Sequence, residues 1–297
     1  DFFLVPIRNN TANMGGFVIS DGEVTTTDAD CKTIYAANAD GSTKNSPTAY
    51  NTDSNASNLV LAIPGDANGS STTDVHQEIN TGSSNKAATI NSQTVSTAQW
   101  KNYGSSLYFN SNNMTFADST DFDFGTGDYT IECWVRPNSQ HDMYIFSVAS
   151  GSTWWGLNFW SSNGSNGTIR GGYNPGNSGS GSIEKAYAWQ AGTWYHVALV
   201  RSSATLKLYL NGTEIDSNSD TDTLDCSGTV YVGRDPQGWN LTANMYLNDL
   251  RVYKGVAKYT SNFTLPVAGT PHAIDVLKDS PTSGAASSDS GAGGELN

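Results

Sequence analysis

The stretch Trp194-Tyr195-His196-Val197-Ala198-Leu199-Val200-Arg201, followed by Leu206-Lys207-Leu208-Tyr209-Leu210-Asn211-Gly212-Thr213-Glu214-Ile215, decides how the chain folds. Leu206, Leu208 and Leu210 alternate with Lys207 and Tyr209, and a period of two puts three leucines on one face of a strand. Asn211-Gly212 follows at once. Asn-Gly fills both positive-φ positions of a type I′ turn, so the leucine strand turns back into a second strand through Thr213-Glu214-Ile215. Residues 194–201 are expected to pair antiparallel with residues 205–210, which buries the leucines.

The same period extends outward in both directions. In residues 129–136 one face carries Tyr129, Ile131, Cys133 and Val135, while Thr130, Glu132, Trp134 and Arg136 form the other. Further strands are expected over 106–109, 144–149, 155–160, 168–173, 214–217, 230–233 and 246–253, separated by Gly, Asn, Asp and Ser. Short strands with one apolar face need two packed sheets. The fold class is therefore all-β, a two-sheet antiparallel sandwich.

Composition narrows the function classes. Aromatic residues make up 11% of the 297-residue chain and charged residues only 14%, so the surface consists largely of neutral hydrogen-bonding groups. Fifteen Lys and Arg against 28 Asp and Glu give a net charge of −13, which speaks against nucleic acid and anionic membrane as partners. No apolar run reaches the roughly 20 residues that span a bilayer. Cys31, Cys133 and Cys226 show no metal-ligand spacing, and Cys133 reads as a buried free thiol. Residues 1–57 are polar after Phe2-Phe3-Leu4-Val5 and Gly16-Phe17-Val18-Ile19 and read as an attachment segment. Residues 268–297 have linker composition. The start at Asp1 and the ending Gly293-Gly294-Glu295-Leu296-Asn297 are read as those of a segment of a longer polypeptide.

The central hairpin, together with Phe124-Gly125-Thr126-Gly127-Asp128-Tyr129-Thr130-Ile131-Glu132-Cys133-Trp134-Val135-Arg136-Pro137, resembles laminin G-like domains of the concanavalin A-like superfamily. Ser105–Asn110, Val230–Arg234 and Leu247–Tyr253 agree with that pattern in order, and the resemblance covers residues 58 to about 266. It implies a jelly roll over 58–267 with extended N- and C-terminal segments. The ending Lys254-Gly255-Val256-Ala257-Lys258-Tyr259-Thr260-Ser261-Asn262-Phe263-Thr264-Leu265-Pro266 is similar to the close of such domains in structural proteins of tailed bacteriophages. That similarity implies a virion structural protein.

Several residue patterns bear on chemistry. Glu214-Ile215-Asp216 begins like the Glu-x-Asp of sandwich glycoside hydrolases, but the second glutamate that a retaining pair needs is missing. A charged sheet edge is the favoured reading. His76, His141, His196 and His272 are scattered, so no catalytic set is named and the chain is read as non-enzymatic. Asp118, Asp121 and Asp123, and Asp220, Asp222 and Asp225, are weak candidates for calcium ligands, with turn formation the favoured role. No other cofactor is called for. Trp154, Trp155, Trp189 and Trp239, with Tyr173 and Tyr187, are the candidate carbohydrate-binding residues. Flat rings beside amides and hydroxyls suit sugars, whose C–H faces stack and whose hydroxyls need neutral partners. Taken singly, each tryptophan is more simply explained by packing.

These readings converge on a non-catalytic virion appendage protein, a tail or capsid fibre, at the virion surface or otherwise extracellular. Its laminin G-like domain is expected to bind host-surface glycan or neighbouring subunits, and the chain to form a homo-oligomer. A bacterial adhesin or lectin domain and a polysaccharide-active enzyme are the competing readings.

Overall fold

The computed structural model describes residues 13–14, 17–18, 55, 58–63, 65, 88–101, 105–139, 141–150, 153–160, 167–173, 181–225, 227–237 and 242–265. The chain divides into two units, residues 57–269 and, separately, residues 1–56 with 270–297. In the latter, β1 (Asn13–Met14) pairs antiparallel with β2 (Phe17–Val18). The expected strand at Phe2-Val5, along with Cys31 and Cys226, lies outside the described residues.

The first unit is built from β3 (Leu59–Ile63), β4 (Ala88–Asn91), β5 (Thr94–Ser96), β6 (Ser106–Phe116), β7 (Tyr129–Pro137), β8 (Met143–Ser150) and β9 (Thr153–Trp160). It continues with β10 (Thr168–Tyr173), β11 (Ser182–Ala186), β12 (Tyr195–Ser202), β13 (Thr205–Leu210), β14 (Thr213–Ser219), β15 (Val230–Val232) and β16 (Ala243–Lys254). All of the pairings are antiparallel. The front sheet runs β14-β13-β12-β7-β16, and β3 and the first half of β6 lie along β16. The back sheet runs β11-β10-β9-β8-β15 and ends on the second half of β6, with β4 outside it. β6 serves both sheets. Its polar middle, Asn110-Ser111-Asn112, makes the crossing, with Ser111 at φ 59. No helix among the described residues is long and apolar enough to cross a membrane.

The two inner faces form one core. Ile131, Cys133 and Val135 of β7, Val197 and Leu199 of β12, and Leu206, Leu208 and Leu210 of β13 meet Phe146 and Val148 of β8, Trp155, Leu157 and Phe159 of β9, and Ile169 of β10. Each such aliphatic side chain contributes about 1.5–3 kcal/mol by leaving water. The Asn-Gly turn forms as expected, with Asn211 at φ 51, Gly212 at φ 81 and Leu210 opposite Thr213.

Gly212 has a second constraint. A Cβ there would lie 2.2 Å from the Phe263 carbonyl oxygen, and Phe263 N–H donates to Gly212 O at 2.8 Å. The chain after β16 therefore runs as a strap, residues 255–265, across the outer face of the front sheet. Ala257, Tyr259 and Phe263 pack on Ala198, Val200 and Tyr209. Beneath the strap lies Glu132. Its Oε1 accepts from Lys258 Nζ at 2.6 Å, and its Oε2 accepts from the Tyr259 hydroxyl at 2.6 Å and lies 3.3 Å from His196 Nε2. Burial alone would raise the Glu132 pKa, but Lys258, His196 and Arg251 together hold it well below the usual carboxylate range.

Cys133, on the opposite face of β7, is a free buried thiol. Burial pushes its pKa well above the ordinary thiol value, and the carboxylates of Glu132 and Asp249 add to that. A thiol reacts as thiolate, so Cys133 is expected to resist iodoacetamide in the native protein and react once denaturant unfolds it. Peptide mapping of labelled protein checks this, and native labelling at Cys133 would contradict its placement.

Candidate functional site

The structure redistributes the aromatic candidates. Trp154 and Trp155 lie inside β9 rather than at its end, and consecutive strand residues take opposite faces. Trp155 therefore points into the core, with ring centroids 5.3 Å from Phe124 and 5.7 Å from Phe146. Trp189 is fully buried and packs on Phe159 at 5.5 Å. Trp154 faces outward but is only 7% exposed, tilted against Tyr144 at 5.3 Å. None of these three indoles offers the open ring that sugar stacking needs. Tyr187 is exposed and meets Tyr195 edge-on. Tyr173 lies in β10 opposite Trp155, and Trp239 falls outside the described residues.

Trp160, at the far end of β9, is the indole that stays half-exposed on the outer face of the back sheet. The register assembles a site around it. Tyr144, Asn158, Arg170 and Glu184 are successive cross-strand neighbours on β8, β9, β10 and β11, forming a polar row. Leu157, Phe159, Ile169 and Ile183 alternate with this row and point into the core, which sends the row outward. The Arg170 guanidinium lies 4.4 Å over the Trp160 ring and donates through Nε to Glu184 Oε2 at 2.6 Å.

Asn158 is fully buried at the centre of the row. Its amide lies against the Tyr144 hydroxyl, and the hydrogen bond between them acts to lower that hydroxyl's pKa. Burial, then the carboxylates of Asp235 and Asp142, raise the Tyr144 pKa, and the hydroxyl stays protonated as a donor.

Residues 109–258 match the concanavalin A-like lectin/glucanases superfamily. The chain belongs to that superfamily. A comparison with curated protein sequences finds no match. Among solved structures, the binding domain of Paraclostridial Mosquitocidal Protein 1 is similar at 14% identity and TM-score 0.50, over 68% of this chain and 50% of that one. Domain 4 of the extracellular GH43 arabinanase AbnA from Geobacillus stearothermophilus, in complex with arabinotriose, is similar at 18% identity and TM-score 0.49, over 67% of this chain and 93% of that one. The binding domain of Botulinum Neurotoxin DC in complex with SialylT is similar at 11% identity and TM-score 0.49, over 69% and 50%. The chain thus spans half the length of the two toxin domains. At these identities the likeness concerns the fold.

In this superfamily member the acidic clusters serve the scaffold. Arg201, buried at the end of β12, donates to the carbonyl oxygens of Gly125, Asp220 and Asp222 at 2.9–3.1 Å, and its Nε lies 3.5 Å from Asp220 Oδ2. Asp220 Oδ1 accepts from Asp222 N–H, forming an Asx turn. The Arg201 guanidinium thus meets Asp220 alone of the three carboxylates, while Asp222 Oδ2 faces Gly181 and Asp225 is exposed. Burial raises the Asp220 pKa, partly offset by the Asp222 N–H and by Arg201. Asp121 is buried in a single 3₁₀ turn, Thr120–Phe122, capped by Ser119, while Asp118 is exposed and Asp123 half-buried. Among the described residues no three His, Cys, Asp or Glu side chains converge as a metal-ligand set.

The glutamates are likewise committed to cations: Glu132 to Lys258, Glu184 to Arg170 and Glu214 to Lys207 at 2.5 Å. Glu214 sits on edge strand β14, and Asn262 of the strap accepts its N–H. His196, read as a buried histidine, takes that role against Glu132 and the edge of Trp134.

Proposed function

We propose that this chain is a non-catalytic carbohydrate-binding module whose sugar seat is the outer face of β8–β11 around Trp160. Its setting in this reading is an appendage of a tailed-bacteriophage virion, a tail or capsid fibre. The attachment segment 1–57 and the linker 268–297 join it there to other subunits, and the chain self-associates. Contact with host-surface glycan is the function such a module would serve.

One observation carries the binding part of the reading. Tyr144, Asn158, Arg170 and Glu184 form a continuous polar row across β8–β11, with a partly exposed indole, Trp160, beside it under the Arg170 guanidinium. A pyranose supplies a complement to the accessible part of this face: an apolar C–H face for the part of the Trp160 ring that Arg170 leaves open, and hydroxyls for the partly exposed Arg170 and Glu184 side chains. On the outer face of the front sheet the strap covers Ala198, Val200 and Tyr209, whereas the Trp160 row lies on the outer face of the back sheet. The arrangement offers recognition chemistry, and the cation-paired glutamates fit a binding role better than hydrolysis.

Replacing Trp160 with alanine is expected to weaken glycan binding by about 1–3 kcal/mol while leaving the unfolding midpoint unchanged. A glycan array on the full chain, followed by calorimetric titration of the best ligand against both proteins, measures this. Retention of no glycan by the wild-type chain would rule out the reading, as would equal affinity in the Trp160→Ala variant.

A further inference from the structure

We infer that Glu184 is a specificity-determining residue that keeps acidic sugars out of the seat around Trp160 and Asn158, leaving it to neutral saccharides. The inference rests on the carbohydrate reading above and deepens it. Arg170 sits at the junction of the site: it neighbours Asn158 on one side and Glu184 on the other in the β9–β10–β11 register, and its guanidinium covers the Trp160 ring. A guanidinium in that position would ordinarily select a carboxylated sugar, because its planar fork matches a carboxylate. Here one edge of the fork is already taken. Arg170 Nε and Nη2 both reach Glu184 Oε2, and Thr168 Oγ1 adds a third contact to the same oxygen at 3.4 Å.

A uronic or sialic carboxylate would have to displace Glu184 and then stay beside it as a like charge. The rest of the row gives no relief. At the other end of the row, Asp142 and Asp235 are felt electrostatically at Tyr144. With its charge matched by Glu184, Arg170 is left to the site as a flat, stacked surface. Neutral hydroxyls meet no such opposition.

The Arg170–Glu184 pair is also a clean place to intervene. Glu184 is 36% exposed at the side chain and Arg170 16%, and pairs so exposed contribute little to folding. The experiment uses an array of matched oligosaccharides, each neutral member printed beside its counterpart carrying one terminal carboxylated sugar. It is probed with the full wild-type chain, Glu184→Gln and the double variant Glu184→Gln/Arg170→Gln, with thermal melts of all three. The wild type is expected to bind at least one neutral member and its acidic counterpart about ten-fold or more weakly. Glu184→Gln is expected to raise affinity for the acidic member by about ten-fold and to change the neutral one by less than about two-fold, and the double variant to lose that gain.

Equal wild-type affinity for acidic and neutral members overturns the inference while the carbohydrate reading stands. So does a Glu184→Gln variant with no gain toward the acidic member. Binding of no member of the array overturns both.

Discussion

Replacing Lys258 with methionine is expected to lower the unfolding free energy by about 3–5 kcal/mol, because it leaves the buried Glu132 carboxylate without its closest cation. Lys258 Nζ lies 2.6 Å from Glu132 Oε1 and donates to the Tyr253 hydroxyl at 2.8 Å, so one substitution removes two charge-assisted bonds. The effect also has a pH signature. Glu132 has a folded-state pKa well below the ordinary value of 4.5, so its contribution to stability is fully present above that value and is lost as pH falls through the lowered one. Without Lys258, burial is opposed by His196, Arg251 and the Tyr259 hydroxyl, none of which replaces the lost ammonium. The folded-state pKa then rises, and acid unfolding begins at higher pH than in the wild type. Urea unfolding at pH 7 and at acid pH measures both effects. The double variant Glu132→Leu/Lys258→Met should recover part of the loss, since removing both charges leaves neither unpaired. Unchanged stability of the single variant would mean that the strap does not hold Glu132.

That dependence explains why the strap was only half legible in the sequence. Its residues resemble the close of a domain family, which marks residues 254–266 as belonging to the fold. The alternation in β7 likewise sends Thr130, Glu132, Trp134 and Arg136 to a second face. Nothing in either pattern says that Tyr259 and Lys258 cross more than a hundred residues of chain to cover Glu132, because such contacts have no local period.

The strands divide on the same principle. β7, β12 and β13 each bury one row of apolar residues and show it as alternation. β3 is buried on both faces as Leu59-Val60-Leu61-Ala62-Ile63, so its sequence is an unbroken apolar run without a period, and it was not anticipated. β4, β5 and β11 were missed for the opposite reason: as short edge strands of partial burial they carry too few apolar residues to signal either face. β16 begins at Ala243, ahead of the expected start at residue 246, and β6 runs on through polar Asn110-Ser111-Asn112, where the chain changes sheets.

At the proposed seat, composition pointed to tryptophans other than Trp160. Adjacent Trp154 and Trp155 must take opposite faces once the strand includes both, and placing its start at residue 155 instead of Thr153 hid that consequence. Asn158, Arg170 and Glu184 were each legible as outward positions between apolar neighbours. Their convergence depends on cross-strand register, which hairpin loops of irregular length do not reveal.

The second large effect separates core tryptophans from the ligand-facing one. Replacing Trp189 with alanine is expected to lower stability by about 3–5 kcal/mol, the usual cost of removing a buried indole whose surroundings only partly collapse. Its surroundings are shaped to it. A Cβ at Gly167 would lie 2.2 Å from Trp189 Nε1, so the start of β10 fits against the indole only as glycine. The backbone there is tied as well: Trp189 N–H donates to Tyr187 O and Gln190 N–H to the Tyr195 hydroxyl, both at 2.8 Å. Loss of the ring should therefore loosen residues 187–190, including exposed Tyr187, and weaken glycan binding through the fold. Trp160→Ala, by contrast, should weaken binding with stability intact. Denaturant unfolding and glycan titration on the two variants place each in its class. If Trp189→Ala costs under about 1 kcal/mol yet abolishes binding, Trp189 is a ligand contact rather than core, and the seat lies on the 187–194 side of the sandwich instead of on the Tyr144–Glu184 row.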